Sequence, residues 1–137
     1  MSIKRSRIAA IVAGITLFSI CATFAVQAQE KPHVKRNIVL KEAMSIPDRE
    51  AVMALVELPP GAAEGRHTHP AEVYAFVLEG EITQEIEGKP TVTLKAGDVF
   101  HVSPGLIHQA TNNGSVTAKL AAVFVAEKGK PLTTPVK

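Results

Sequence analysis

GAAEGRHTHPAEVYAFVLEG, residues 61–80, sets two histidines one residue apart before a run of β-branched and aromatic residues that ends in Glu-Gly. In an extended strand, residues i and i+2 point the same way and each residue advances ~3.3 Å. His67 and His69 therefore present both imidazoles to one side, about 7 Å apart along the chain. Two rings so placed can close on one metal through nitrogen contacts of about 2.1 Å. An H-x-H pair alone is a common accident, so a further ligand has to come from another segment. GDVFHVSPGLIHQATN, residues 97–112, offers one: His108 follows the Pro104-Gly105 turn and opens another β-rich run.

Outward from these two stretches the chain alternates short β-rich runs with turn residues. Strands are predicted over residues 36–41, 50–58, 73–78, 81–87, 91–94, 99–102, 107–111 and 117–126. Between them lie Gly-, Pro- and Asn-rich turns, of which Asn112-Asn113-Gly114 is a strong hairpin signal. No segment from 59 to 126 keeps a 3.6-residue apolar period. The pattern predicts an all-β sandwich or barrel. Residues 29–34 read as a flexible start, 35–128 as the barrel, and 129–137 as an extended tail, either packed across a sheet edge or loose. Along 81–87, Ile82, Gln84 and Ile86 share the inner face, opposite Glu81, Thr83, Glu85 and Glu87. Gln84 is thus a candidate pocket residue, or a buried amide bonded to backbone.

At 137 residues the chain allows one domain. Its single cysteine cannot form an internal disulfide and excludes a zinc site built from several thiolates. The formal charge of +2 is set by the first seven residues, where Lys4, Arg5 and Arg7 lie, with no acid before Glu30. From residue 29 onward there are 12 cations against 13 acids. With no Trp and one Tyr, the body offers neither an electrostatic surface for nucleic acid nor base-stacking platforms. Residues 1–28 have a basic start, an apolar run from Ile8 to Val26 and the small-residue end Val26-Gln27-Ala28. They read as a cleaved signal peptide, with an uncleaved anchor as the alternative. Cys21 leaves with the leader, because the bulky Ile20 before it does not suit lipidation. The leader is similar to bacterial export signals, which makes the periplasm or the exterior the expected destination and membrane contact transient.

Together the two stretches resemble the paired signature motifs of the cupin superfamily. Gly61, His67, His69 and Gly80 fall in register with the first motif, and Gly97, Gly105, His108 and Asn112 with the second. The resemblance implies a small double-stranded β-helix, a jelly-roll barrel, that is often a homodimer. It also implies one divalent metal in the barrel, held by His67, His69 and His108 with a glutamate as fourth ligand. Ser103 stands where the second motif has its Pro, with Pro104 one place later. The glutamate is the larger departure. Aligned without gaps, the family's Glu falls on Val73, and Glu72 is one residue early, out of parity with the histidines. Pro70 could re-phase the strand through a bulge and return Glu72 to the metal side as ligand and catalytic acid–base. Otherwise the site is three histidines plus water, a set compatible with Fe, Mn, Zn, Ni or Cu.

Other residues have plainer readings. His33 is a surface residue, Arg66 a loop cation, and Asp98 and Asn112 order turns; Tyr74 and Phe76 suit core or dimer packing. His101 faces either the barrel or the outside. The resemblance admits an oxygenase, an isomerase or a lyase acting on a small molecule, and equally a barrel that binds or senses a small ligand without turnover.

Overall fold

The computed structural model describes residues 32–137. The expected signal peptide, its cleavage point, Cys21 and the first half of the flexible start, residues 29–31, lie outside these residues. Among the described residues there are ten strands and no helix: β1 Lys35–Ala43, β2 Arg49–Leu58, β3 His67–Thr68, β4 Ala71–Glu79, β5 Glu81–Ile86, β6 Val92–Lys95, β7 Val99–Val102, β8 His108–Thr111, β9 Ala118–Glu127 and β10 Thr134–Pro135. They form two antiparallel five-stranded sheets, ordered β1-β2-β9-β4-β7 and β10-β3-β8-β5-β6. This is the all-β architecture expected from the alternation and turns, in the double-sheet arrangement that the resemblance implied.

Period-two burial builds the interior. Val52, Ala54, Val56 and Leu58 of β2, Ala71, Val73, Ala75 and Val77 of β4, and Leu120, Ala122 and Phe124 of β9 all point between the sheets. Ile82 of β5 and Val102 of β7 join them. Each fully buried Leu, Ile, Val or Phe contributes roughly 1.5–3 kcal/mol of transfer free energy. Many inward positions are alanines, among them Ala54, Ala75, Ala110 and Ala122. Such small side chains leave room between the sheets that a Leu-rich core would fill.

Turn chemistry sets the registers. Gly80 joins β4 to β5 with φ +71°, and a Cβ there would lie 3.0 Å from the Ala118 Cα and 3.1 Å from the Thr117 carbonyl oxygen. Both the left-handed conformation and the close approach demand glycine. Asp98 accepts a hydrogen bond from the Lys95 backbone N–H at 2.8 Å, closing the turn before β7. The fully buried Asn112 donates to the Leu58 and Val116 carbonyls and accepts from the Gly114 N–H, tying the end of β8 to the end of β2. Of the two arrangements open to the tail, packed across a sheet edge or loose, the structure shows the packed one: β10 pairs with β3, and the Val136 N–H donates to the Arg66 carbonyl.

Candidate metal centre

β3 is only two residues long, yet it sets His67 directly opposite His108 of β8. His69 follows on the same side. Burial alternates without a break from His67 through His69 and Ala71 to Val73, so Pro70 does not re-phase the chain. All three imidazoles are buried, with ligand atoms within 4.8 Å of one another. The His67 and His69 Nε2 atoms are 3.1 Å apart.

The outer nitrogens determine what the inner ones can do. His67 Nδ1 lies 2.7 Å from the Gly65 carbonyl, His69 Nδ1 2.6 Å from that of Leu132, and His108 Nδ1 2.9 Å from that of Leu106. A carbonyl only accepts, so each Nδ1 carries the proton and donates it. Each Nε2 is then a bare lone pair aimed at the other two. Burial is the main cause that pushes His69 down from 6.5 to about 4 and also lowers His108; the neighbouring imidazoles add to it, while the accepting carbonyls oppose it. Neutral rings cannot bridge Nε2 to Nε2 by a hydrogen bond, and converging lone pairs repel. A cation relieves that repulsion. The fixed tautomers, the outer hydrogen bonds and the nitrogen donor set all fit a divalent metal.

Glu72 is not in this cluster, a correction to its reading as a ligand or acid–base re-phased through Pro70. Its parity turns it to the outer face of β4, where it pairs with Val125 across the ladder and accepts a hydrogen bond from His101 Nε2. His101 in turn stacks on Tyr74 with ring centroids 4.9 Å apart. Tyr74 and Phe76 are exposed on that same outer face rather than packed in the core. Val73, where the ungapped alignment puts the family's glutamate, is buried and lines a cavity beside His69 and His108. Gln84 is buried at 1% exposure on the inner face of β5, with neither side-chain amide atom paired. It is not among the residues that line the cavity beside the histidines. Arg66 is exposed, 4.0 Å from Glu87.

That cavity holds about 30 Å³ and is walled mainly by apolar side chains, including Val73, Phe100, Leu120 and Phe124. Its charged lining comes from residues that strand patterns did not single out, Arg36 of β1 and Glu64 of the loop before β3. They form an ion pair at 3.0 Å. Glu64 lies in a loop outside the strand pattern, and no spacing rule links it to Arg36, 28 residues earlier. The role of the tail was equally hidden, because Leu132 acts through its backbone carbonyl.

Residues 54–124, just over half of the chain, match the cupin domain family. The chain belongs to the cupins. This cupin is 34% identical over 91 residues to an oxalate-binding protein of Thermotoga maritima, covering 65% of this chain and 72% of that one. It is 33% identical over 118 residues to germin-like protein subfamily 2 member 1 of Arabidopsis thaliana, covering 75% of this chain but 53% of the plant protein. The chain thus spans about half the length of that germin-like relative. Among solved structures, a double-stranded β-helix protein of Klebsiella pneumoniae superposes with a TM-score of 0.62 at 24% identity, over 74% of this chain and 85% of that one. An oxalate oxidase in complex with the substrate analogue glycolate superposes with a TM-score of 0.58 at 26% identity, over 63% of this chain and 46% of that one.

Proposed function

We propose that this cupin is an exported metalloprotein that binds one divalent ion through His67, His69 and His108 and uses it to act on a small oxygen-bearing molecule, as an oxygenase or as an isomerase or lyase. The observation that carries this reading is the convergence of three Nε2 lone pairs, each fixed by an outer carbonyl. A divalent ion bound there supplies Lewis acidity toward an oxygen donor. The chain's own contribution is to hold three neutral imidazoles, to keep them dry among aliphatic side chains, and to leave a small cavity beside His69 and His108. The names of the relatives, an oxalate-binding protein and an oxalate oxidase, support a small carboxylate as the ligand. Export rests on the leader at residues 1–28, which supports the periplasm or the outside of a bacterial cell as the destination. We also propose a homodimer formed through the outer face of the β1-β2-β9-β4-β7 sheet, where Tyr74, Phe76, Leu55 and Val99 are exposed together.

A second reading, a barrel that binds its ligand without turnover, draws support from one observation. Val73 occupies the inward position where a ligating carboxylate is expected, so a base on β4 is lacking. Metal analysis of protein purified from its own compartment tests the common part of both readings. About one equivalent of a transition metal is expected, falling below a tenth of an equivalent in His108→Ala. Wild-type protein that stays metal-free after supplementation overturns both. Oxygen uptake and product formation on a panel of small hydroxy and enolic acids then separates enzyme from binder.

A further inference from the structure

Arg36 and Glu64 line two spaces at once. One is the cavity of about 30 Å³ beside His69 and His108; the other is an open cleft of about 390 Å³ bordered by Pro32, His33, Val34 and Ala63. Their ion pair, 3.0 Å long, therefore borders both spaces. The pair is asymmetric. Glu64 is held in place: its N–H donates to the Ala110 carbonyl at 2.9 Å, and the adjacent Ala63 bridges to Thr111 of β8. Its side chain is 13% exposed. Arg36 is a long arm on β1, the edge strand of its sheet, and its side chain is 28% exposed. The remaining walls are mostly apolar, a setting in which a charge pair costs desolvation that its own attraction only partly returns. Such a pair beside three metal-fitting histidines reads as ligand recognition.

We propose that Arg36 and Glu64 select the ligand of the histidine cavity, and that this ligand is a short α-hydroxy acid, its carboxylate taken by Arg36 and its hydroxyl donated to Glu64. This rests on the metal-site reading above and narrows it. The guanidinium offers a planar fork that matches a carboxylate. The fixed Glu64 carboxylate accepts a hydroxyl proton but repels a second carboxylate, so it acts against dianions such as oxalate. The small cavity limits the ligand to a few non-hydrogen atoms until the Arg36 arm swings outward.

The test uses the mature, zinc-loaded protein, with zinc content measured for every variant and the affinities of glycolate and oxalate measured by calorimetry. Arg36→Gln is expected to weaken both probes at least tenfold. Glu64→Gln is expected to shift the oxalate-to-glycolate affinity ratio about tenfold toward oxalate, with zinc content unchanged. A ratio within twofold of wild type in Glu64→Gln, at full zinc occupancy, overturns the proposal and leaves the metal site standing. Wild-type protein that takes up no zinc overturns the metal reading and this one with it. The charge-swapped double variant Arg36→Glu/Glu64→Arg separates recognition from a mere tie between β1 and the loop. Retained melting temperature with lost glycolate binding is expected, whereas wild-type affinity for both probes in the swap overturns the proposal.

Discussion

A single step of parity decides the chemistry around the histidines. Val73 and Glu72 are neighbours in the chain, but one faces the cavity and the other the outer surface, so a carboxylate next to the right position is as distant chemically as one on another element. Glu72→Gln is expected to leave metal content and the ligand-field spectrum of the cobalt-substituted protein unchanged, since only an exposed contact with His101 is lost. A changed spectrum would return Glu72 to the metal. The imidazoles carry a second consequence. His69 holds no proton in the fold until pH falls to about 4, whereas the unfolded chain takes one near 6.5. Protons therefore favour the unfolded state between these values: stability is full above about 6.5 and is lost as pH falls toward 4. A shift of that size corresponds to about 3 kcal/mol. Urea unfolding of the metal-free protein at pH 7 and pH 4.5 should show a lower midpoint in acid. A His69→Gln variant should lose the His69 share of that dependence and keep the part that the buried His108 contributes.

At the scale of elements, the strands were legible because two signals agree along most of the chain. Alternating burial marks β2, β4, β5 and β9, and Gly, Pro or Asn punctuates their ends. The inward set Ile82, Gln84 and Ile86 followed from the same period. The H-x-H pair and the later His108 could be read because donor side chains announce themselves, and strand parity already put Val73 rather than Glu72 on their side. Two parts of the site left no such trace. Arg36 lies on β1, where exposure hardly alternates, so nothing distinguishes it from its solvated neighbours. The tail helps to hold the site with backbone: Leu132 accepts from His69 Nδ1, and Thr133 Oγ1 lies 3.3 Å from the same nitrogen. Deleting residues 131–137 removes both groups together with β10. The His69 ring then loses its fixed tautomer, and metal affinity is expected to fall 10–100-fold, the usual effect of removing a partner that orients a metal ligand. Competition against a chelator of known affinity measures it, and affinity within threefold of the full chain would deny the tail this role.

The whole molecule divides its two sheet faces between different tasks. The inner faces hold the core, the histidines and the cavity; the outer face of the β1-β2-β9-β4-β7 sheet exposes Leu55, and Tyr74, Phe76 and Val99 line an open apolar depression of about 560 Å³ there. An apolar surface of this kind asks for a partner. Phe76→Lys is expected to convert the proposed dimer to monomer in sedimentation velocity with metal content intact; a wild-type protein that sediments as a monomer would remove this proposal. The tail has one more implication, for biosynthesis. Leu132 and Thr133 are translated after every strand except β10, so His67, His69 and His108 have all been synthesised before the carbonyl that aims one of them exists. A growing chain is accordingly a poor scavenger of ions, and loading belongs to the finished polypeptide, in whatever compartment it finishes folding.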